Sequence, residues 1–246
     1  MIKLIGVHKS FQKQKVLDGI SLHIPRGQIT VIIGTSGVGK SVLLKHMIGL
    51  MSPDSGRVMI DGIDIGGLSS IELVELRKKF GMLFQGAALF DSLTVYENVA
   101  FPLVEHTRLT EAEIRRKVSE KLELVGLHGV GYKMPSELSG GMKKRVGLAR
   151  AIVLEPEVIL YDEPTTGLDP LMIDSVDNLI LSMQQKLSIT SVVISHDIKS
   201  TFDIADQIAM IHDGKIIEAG TPERFRLSAN PIVKRFIGEN VVHKLC

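Results

Sequence analysis

Between the β-branched run Ile29–Ile33 and the helix-like stretch KSVLLKHM lies GTSGVGKS, residues 34–41. It matches the pattern G-x-x-x-x-G-K-[ST] throughout, and it has a predicted strand before it and a predicted helix after it. A strand that ends in a glycine-rich turn and feeds a helix belongs to an α/β architecture with a parallel sheet, so this stretch constrains the fold first. Gly34, Gly37 and Gly39 let backbone N–H groups turn inward onto an anion, with Thr35, Ser36 and Val38 completing the loop. The helix that begins near Lys40 aims the positive end of its dipole at the same point. Lys40 is placed to reach the β- and γ-phosphates of a nucleotide, and Ser41 to offer its hydroxyl to Mg²⁺. A flexible loop with a solvated lysine would need neither the strand nor the helix.

The rest of the chain is organised around that unit. Short alternating runs, broken by Asp18–Gly19 and PRG, make a β-rich opening. Val42, Leu43, His46, Met47 and Leu50 follow helical spacing after the loop. GRVMIDGIDI is a second β segment, followed by a helix-like SSIELVELRKK and a strand-like FGMLFQ. From residue 87 to 155 three stretches read as helices with no convincing strand, so a helical subdomain is expected there, inserted between core segments 1–86 and 156–221. EVILYDEP and TSVVISHD resume the buried strands, IAMIHDGKIIEAG is a hairpin turning at Asp213–Gly214, and 222–246 is expected to be a helical tail.

Composition narrows the function classes. The net charge of +1 offers no basic field for nucleic acid, so none is expected as a partner. Cys246 is the single cysteine, which fits a reducing compartment. No apolar run approaches the roughly 18 residues of a membrane span, and MIKLIGVHKSF lacks the pattern of a targeting segment. The chain is expected to be soluble and cytoplasmic, carried to a membrane only by another protein.

Acids at strand ends supply the remaining chemistry. In VILYDEP, Asp162 and Glu163 stand where a buried strand leaves the sheet. Asp162 is expected to hold Mg²⁺, and Glu163 to polarise the attacking water; the other reading is a pair of acids capping the next turn. His196 and Gln85 also follow buried strands, where ligands bind in open α/β sheets. Gln85 would contact Mg²⁺ or the water; the plain readings are a histidine at a helix start and a loop glutamine. A second glycine-bearing helix start, Ser139–Gly140–Gly141 in ELSGGMKKRV, admits two accounts. It is an ordinary helix N-cap, or it covers the exposed face of a phosphate bound by a second copy in a two-fold dimer.

In order and spacing, Gly34–Ser41, Gln85, LSGGM at 138–142, VILYDEP at 158–164, GLD at 167–169 and His196 resemble the motif set of ABC-transporter ATPases, over about residues 2–225. The resemblance implies a P-loop NTPase fold: a RecA-like parallel-sheet core with an antiparallel β subdomain, plus an inserted helical subdomain. It implies ATP and Mg²⁺ as cofactors, and two copies closing around two ATP with Ser139, Gly140 and Gly141 acting across the interface. It assigns Asp169 to communication between the sites and Gln85 to the region facing an integral-membrane permease. Phe11 stands where the family has an aromatic residue, more often Tyr, stacked on adenine; a core position in the opening sheet is its other reading.

FGMLFQGAALFDSLTVYENVAFPLVEHT and MPSELSGGMKKR, with Met142 in place of the usual Gln, resemble the ATPase subunits of the Mla/MCE phospholipid transport systems. That implies lipid as cargo, an MCE-domain lipid-binding protein as a further partner, and a place on the cytoplasmic face of the bacterial inner membrane. Phe90, Val95, Tyr96 and Phe101 are then either anchors of a permease groove or subdomain core. A small-solute importer and a regulator of cell-envelope enzymes would use the same engine. A DNA-repair or translation ATPase would need a heptad insert, a second ATPase half or a basic excess.

Overall fold

Strand residues in this chain alternate between two hydrophobic cores, and that alternation builds the fold. The computed structural model describes residues 1–242. Strands β1 (Ile2–Phe11), β2 (Gln14–Ile24), β4 (Ser55–Ile60) and β5 (Ile63–Asp64) form an antiparallel sheet in the order β2-β1-β4-β5. Strands β3 (Ile29–Ile33), β6 (Phe80–Leu83), β7 (Val158–Asp162), β8 (Thr190–Ile194), β9 (Gln207–His212) and β10 (Lys215–Gly220) form the second sheet, in the order β10-β9-β3-β8-β7-β6. All its pairings are parallel except the β9–β10 hairpin.

β3 and β8 are buried along their whole length, as β-branched runs covered on both faces should be. Ile29, Val31, Ile33, Ile159, Tyr161 and Val193 point into one core. Ile32, Val158, Leu160, Val192 and Ile194 point into the other, beneath the antiparallel sheet and α1 (Lys40–Met47). The two-residue period of a strand thus welds the two layers through one sheet. Thr30, the hydroxyl within β3, is also buried and donates to Gln207 at 3.4 Å.

Between β6 and β7 the described chain is helical, with α3 (Val95–His106), α4 (Glu111–Leu124) and α5 (Gly140–Ile152) after α2 (Ser70–Arg77). Reciprocal capping boxes start three of these: Ser69 with Glu72, Thr94 with Glu97, and Thr110 with Glu113. Each cap stabilises its helix by about 1 kcal/mol. After β7 come α6 (Pro170–Leu187), α7 (Ile198–Ile204), α8 (Pro222–Arg226) and α9 (Pro231–Val242). The end of the tail, with Cys246, lies outside the described residues. No described helix is long and apolar enough to cross a membrane.

Two local expectations need correction. Asp18–Gly19 does not break a strand: it lies inside β2, where one extra residue is accommodated between the pairs Val7–Ile20 and Lys9–Leu17 and Gly19 takes φ +76°. Leu50, read as part of the apolar face after the loop, stands beyond the end of α1 and is exposed.

Candidate nucleotide site

The loop 34–41 hangs between the end of β3 and the start of α1. Its shape excludes side chains at two points: a Cβ on Gly34 would lie 2.5 Å from the Ile211 carbonyl oxygen, and one on Gly39 2.9 Å from Val16 Cγ1. Gly39 caps α1 in the left-handed region, φ +98°, with no side-chain bond to the helix N-terminus. The first-turn N–H groups are therefore left for an external acceptor, which is the arrangement an anion requires. Thr35, Ser36 and Gly37 are exposed, while Val38 turns toward the core beneath the antiparallel sheet. Lys40 is buried and donates to the carbonyl oxygens of Gly34 and Thr35 at 2.8 and 2.9 Å. Burial pushes its pKa down, against the upward pull of Glu163 and Asp162. An ammonium so placed, holding only neutral oxygens, suits a phosphate.

Asp162 ends β7, one strand removed from β3, and accepts a hydrogen bond from Ser41 Oγ at 3.1 Å. Burial raises the pKa of Asp162, the Ser41 bond lowers it, and Glu163 raises it further. A carboxylate held against its own desolvation, beside a hydroxyl, is a fit pair of hard oxygen donors for Mg²⁺. Among the described residues no cluster of three or more His, Cys, Asp and Glu forms a metal cage. The pair therefore suits an ion that takes its other ligands from phosphate and water, and that ion would neutralise charge on the transferring phosphoryl group.

Glu163 sits in the left-handed region, φ +50°. Its N–H donates to Ile194 O at 3.1 Å, and its carboxylate accepts from Thr166 Oγ1 at 3.0 Å. His196, just after β8 and more than half exposed, brings Nδ1 to 3.6 Å from Glu163 Oε2. A carboxylate and an imidazole thus stand beside the loop lysine, at the C-terminal ends of adjacent parallel strands, where ligands bind in open α/β sheets.

Residues 17–166 match the family described as ABC transporter. The chain belongs to that family. Its site is an ABC ATPase site, which binds ATP with Mg²⁺ and hydrolyses it. The chain is 46% identical to the intermembrane phospholipid transport system ATP-binding protein MlaF of Haemophilus influenzae, over 90% of this chain and 84% of that protein. It is 44% identical to the probable ribonucleotide transport ATP-binding protein mkl of Mycobacterium leprae, over 96% of this chain and 68% of that one. Among solved structures it resembles CbiO1 of Clostridium perfringens, part of an ABC transporter complex, with a TM-score of 0.86, 33% identity and coverage of 99% and 93% of the two chains. It also resembles a dimeric ATP-binding cassette bound to ADP and Pi, with a TM-score of 0.83, 32% identity and coverage of 90% and 99%.

The other expected residues of the ABC site lie apart from this cluster. Ser139 caps α5, accepting from Met142 N–H at 3.3 Å, with Gly140 exposed and Gly141 against Met172 of α6. Among the described residues no hydrogen bond or ion pair joins 139–141 to 34–41. Phe11 ends β1 and is 42% exposed, so the core reading of it falls; Lys9 Nζ lies 5.9 Å from its ring centre. Its hairpin stands beside the phosphate loop through Val16, against Gly39. Asp169 caps α6, accepting from Met172 N–H at 3.1 Å. Gln85 is exposed in the turn after β6, with no bond to Ser41, Asp162 or Glu163.

Beyond Gln85 opens a groove of about 530 Å³ lined by Met82, Phe84, Phe90, Phe101, His106 and Arg150. The Phe90 and Phe101 rings meet with centres 4.9 Å apart and remain exposed. Val95, by contrast, is wholly buried, and Tyr96 packs half-buried against the same core; helical rotation turns both away from the groove.

Three residues that hold the turns beside the groove and after Glu163 escaped sequence reading. Asn98, buried, accepts from Phe90 N–H at 2.8 Å and donates to Phe90 O and Leu93 O, each at 3.0 Å. Arg150 donates to Ala87 O and Ala88 O at 2.7 and 2.8 Å, holding two left-handed alanines in the turn after Gln85. Lys144 donates to Pro164 O and Thr166 O beside Glu163. Only Lys144 carried a signal, being three residues from Gly141 on the same face of α5.

Proposed function

We propose that this chain is the ATPase subunit of an envelope phospholipid transporter of the Mla/MCE type. Two copies close around two ATP and drive an integral-membrane permease. The observation that carries the dimer is the separation of Ser139–Gly141 from the phosphate loop within one chain. Each half-site lacks a wall that a second copy supplies by two-fold symmetry. The dimeric ADP-bound cassette of similar fold supports the same reading. Lys40 and the loop amides hold the phosphates, Ser41 and Asp162 the metal, and Glu163, oriented by Thr166 and His196, takes the proton of the attacking water. ATP binding favours the closed dimer and hydrolysis releases it, the differential affinity that a driven conformational change requires.

The groove beside Gln85 receives a permease helix, with Phe90 and Phe101 as its aromatic anchors. The permease holds the chain on the cytoplasmic face of the inner membrane, and the MCE-domain protein belongs to the same complex. The cargo does not touch this subunit, so the lipid reading rests on the MlaF similarity, which spans more of the relative than the mkl similarity does. The mkl name favours a second reading, the same engine moving a small solute.

Three experiments test this. Glu163→Gln should bind ATP, lose turnover by about 10²-fold or more and accumulate as a nucleotide-loaded dimer. Ser139→Arg should bind ATP as a monomer that fails to pair; normal pairing and hydrolysis would return residues 139–141 to a plain helix cap. Mass spectrometry of the intact membrane complex should find bound phospholipid, and a ribonucleotide in its place would select the second reading.

A further inference from the structure

Lys144 is 7% exposed, yet among the described residues it forms no ion pair. Its ammonium donates instead to two neutral acceptors, Pro164 O and, at 2.9 Å, Thr166 O. An apolar side chain of similar length would fill this space without the desolvation penalty. Burial does lower the lysine's pKa, and the charge of Glu163 works against that shift, so the two groups share one field. The acceptors belong to the tight turn 163–166, in which Thr166 N–H donates to Glu163 O at 3.3 Å and Thr166 Oγ1 to the Glu163 carboxylate at 3.0 Å. The same face of α5 grips the next segment too: Gly141 lies against Met172, and Arg145 donates to Ser175 Oγ at 2.6 Å.

We propose that Lys144 is a positioning residue for hydrolysis, fixing the turn that carries Glu163 to the helix whose N-terminus engages the partner's ATP. The proposal rests on Glu163 as the base and on Ser139–Gly141 acting across the interface. Engagement of α5 by the nucleotide of one site then sets the carboxylate orientation in the other. A unit of this kind is two rigid groups, a helix and a turn, joined by one charged side chain.

The test uses the full chain with Lys144→Met, Lys144→Arg and Thr166→Val, with Glu163→Gln in parallel. Lys144→Met should lower kcat at least tenfold while KM and the Kd for MgATP stay within twofold. Without nucleotide, amide exchange over residues 163–168 should speed up. Lys144→Arg, which keeps a charged donor for both carbonyls, should recover most of the rate. Thr166→Val should slow turnover several-fold alone and by less in the Lys144→Met background. If Lys144→Met does not fold, Thr166→Val and Lys144→Arg decide: unchanged kcat in the first, or a loss in the second that appears in Kd, overturns the assignment. Full turnover by Lys144→Met beside an inactive Glu163→Gln overturns the role of Lys144 alone. Full turnover by Glu163→Gln overturns the reading of Glu163 on which it rests.

Discussion

Ser41 and Asp162, 121 positions apart in the sequence, meet through one hydroxyl-to-carboxylate hydrogen bond of 3.1 Å. One residue opens the helix after the phosphate loop and the other closes a strand two places along in the sheet order. Burial works against the charge that Asp162 carries in this pair.

That opposition gives a sign-dependent prediction. Asp162 has a folded-state pKa above its unfolded one, so its desolvation penalty is absent below the unfolded value and complete once pH exceeds the folded value. Nucleotide-free Asp162→Asn should melt above wild type at pH 7.5. The gap should close as pH falls toward 4. In MgATP the order should reverse, because the metal loses a ligand. Differential scanning fluorimetry at several pH values, with and without MgATP, reads both effects.

Asp177 provides a control away from the nucleotide. It is buried between α6 and α7, accepts from Ser200 Oγ at 2.7 Å, and has its pKa pushed up to about 6, first by burial and then by Asp197, Asp203 and Asp174 despite the Ser200 bond. Its contribution to stability should fall as pH rises from the unfolded value of 3.8 to about 6. Asp177→Asn, which keeps an acceptor for Ser200, should gain about 1–3 kcal/mol at pH 8 and nothing below pH ~4. MgATP should not invert this difference.

Lys40→Ala removes a charged donor from the phosphate cradle and takes the partner from the buried Gly34 carbonyl and the part-buried Thr35 carbonyl. Affinity for ATP should fall by about 2–3 kcal/mol, or ~30- to 150-fold in Kd. Isothermal titration calorimetry measures it; unchanged affinity would remove Lys40 from the site.

Phe101 is 39% exposed and meets the Phe90 ring at a tilt of 52°, so its loss should cost the isolated subunit less than about 1 kcal/mol. Phe101→Glu should nonetheless abolish co-purification with the permease while basal ATPase activity persists. A permease complex recovered at wild-type yield would place the docking surface elsewhere.

Residues 34–41 were readable because a phosphate loop is local: eight consecutive positions, a strand before and a helix after, contain the whole geometry. The strands of the parallel sheet were readable for a similar reason, since burial on both faces leaves a β-branched run with few polar interruptions. Helix starts carry their own signature, as Thr94 with Glu97 and Thr110 with Glu113 illustrate. Asp18–Gly19 shows the limit of such signals, because whether that pair turns the chain or bulges within β2 depends on the register of β1 beside it.

What the order of residues determined alone is therefore the chemistry available: a cradle, a hydroxyl at the first turn of its helix, two acids and a histidine at strand ends, and a glycine-rich helix start. What only the tertiary structure decided is which of them meet. Ser41 reaches Asp162 because β8 seats β7 near β3; Lys144 leaves the surface because α5 lies on the turn after Glu163; Val95 is buried while Phe101 is not because α3 has one rotation about its axis. Each outcome depends on packing between segments distant in the chain, and no window of neighbouring residues contains that information.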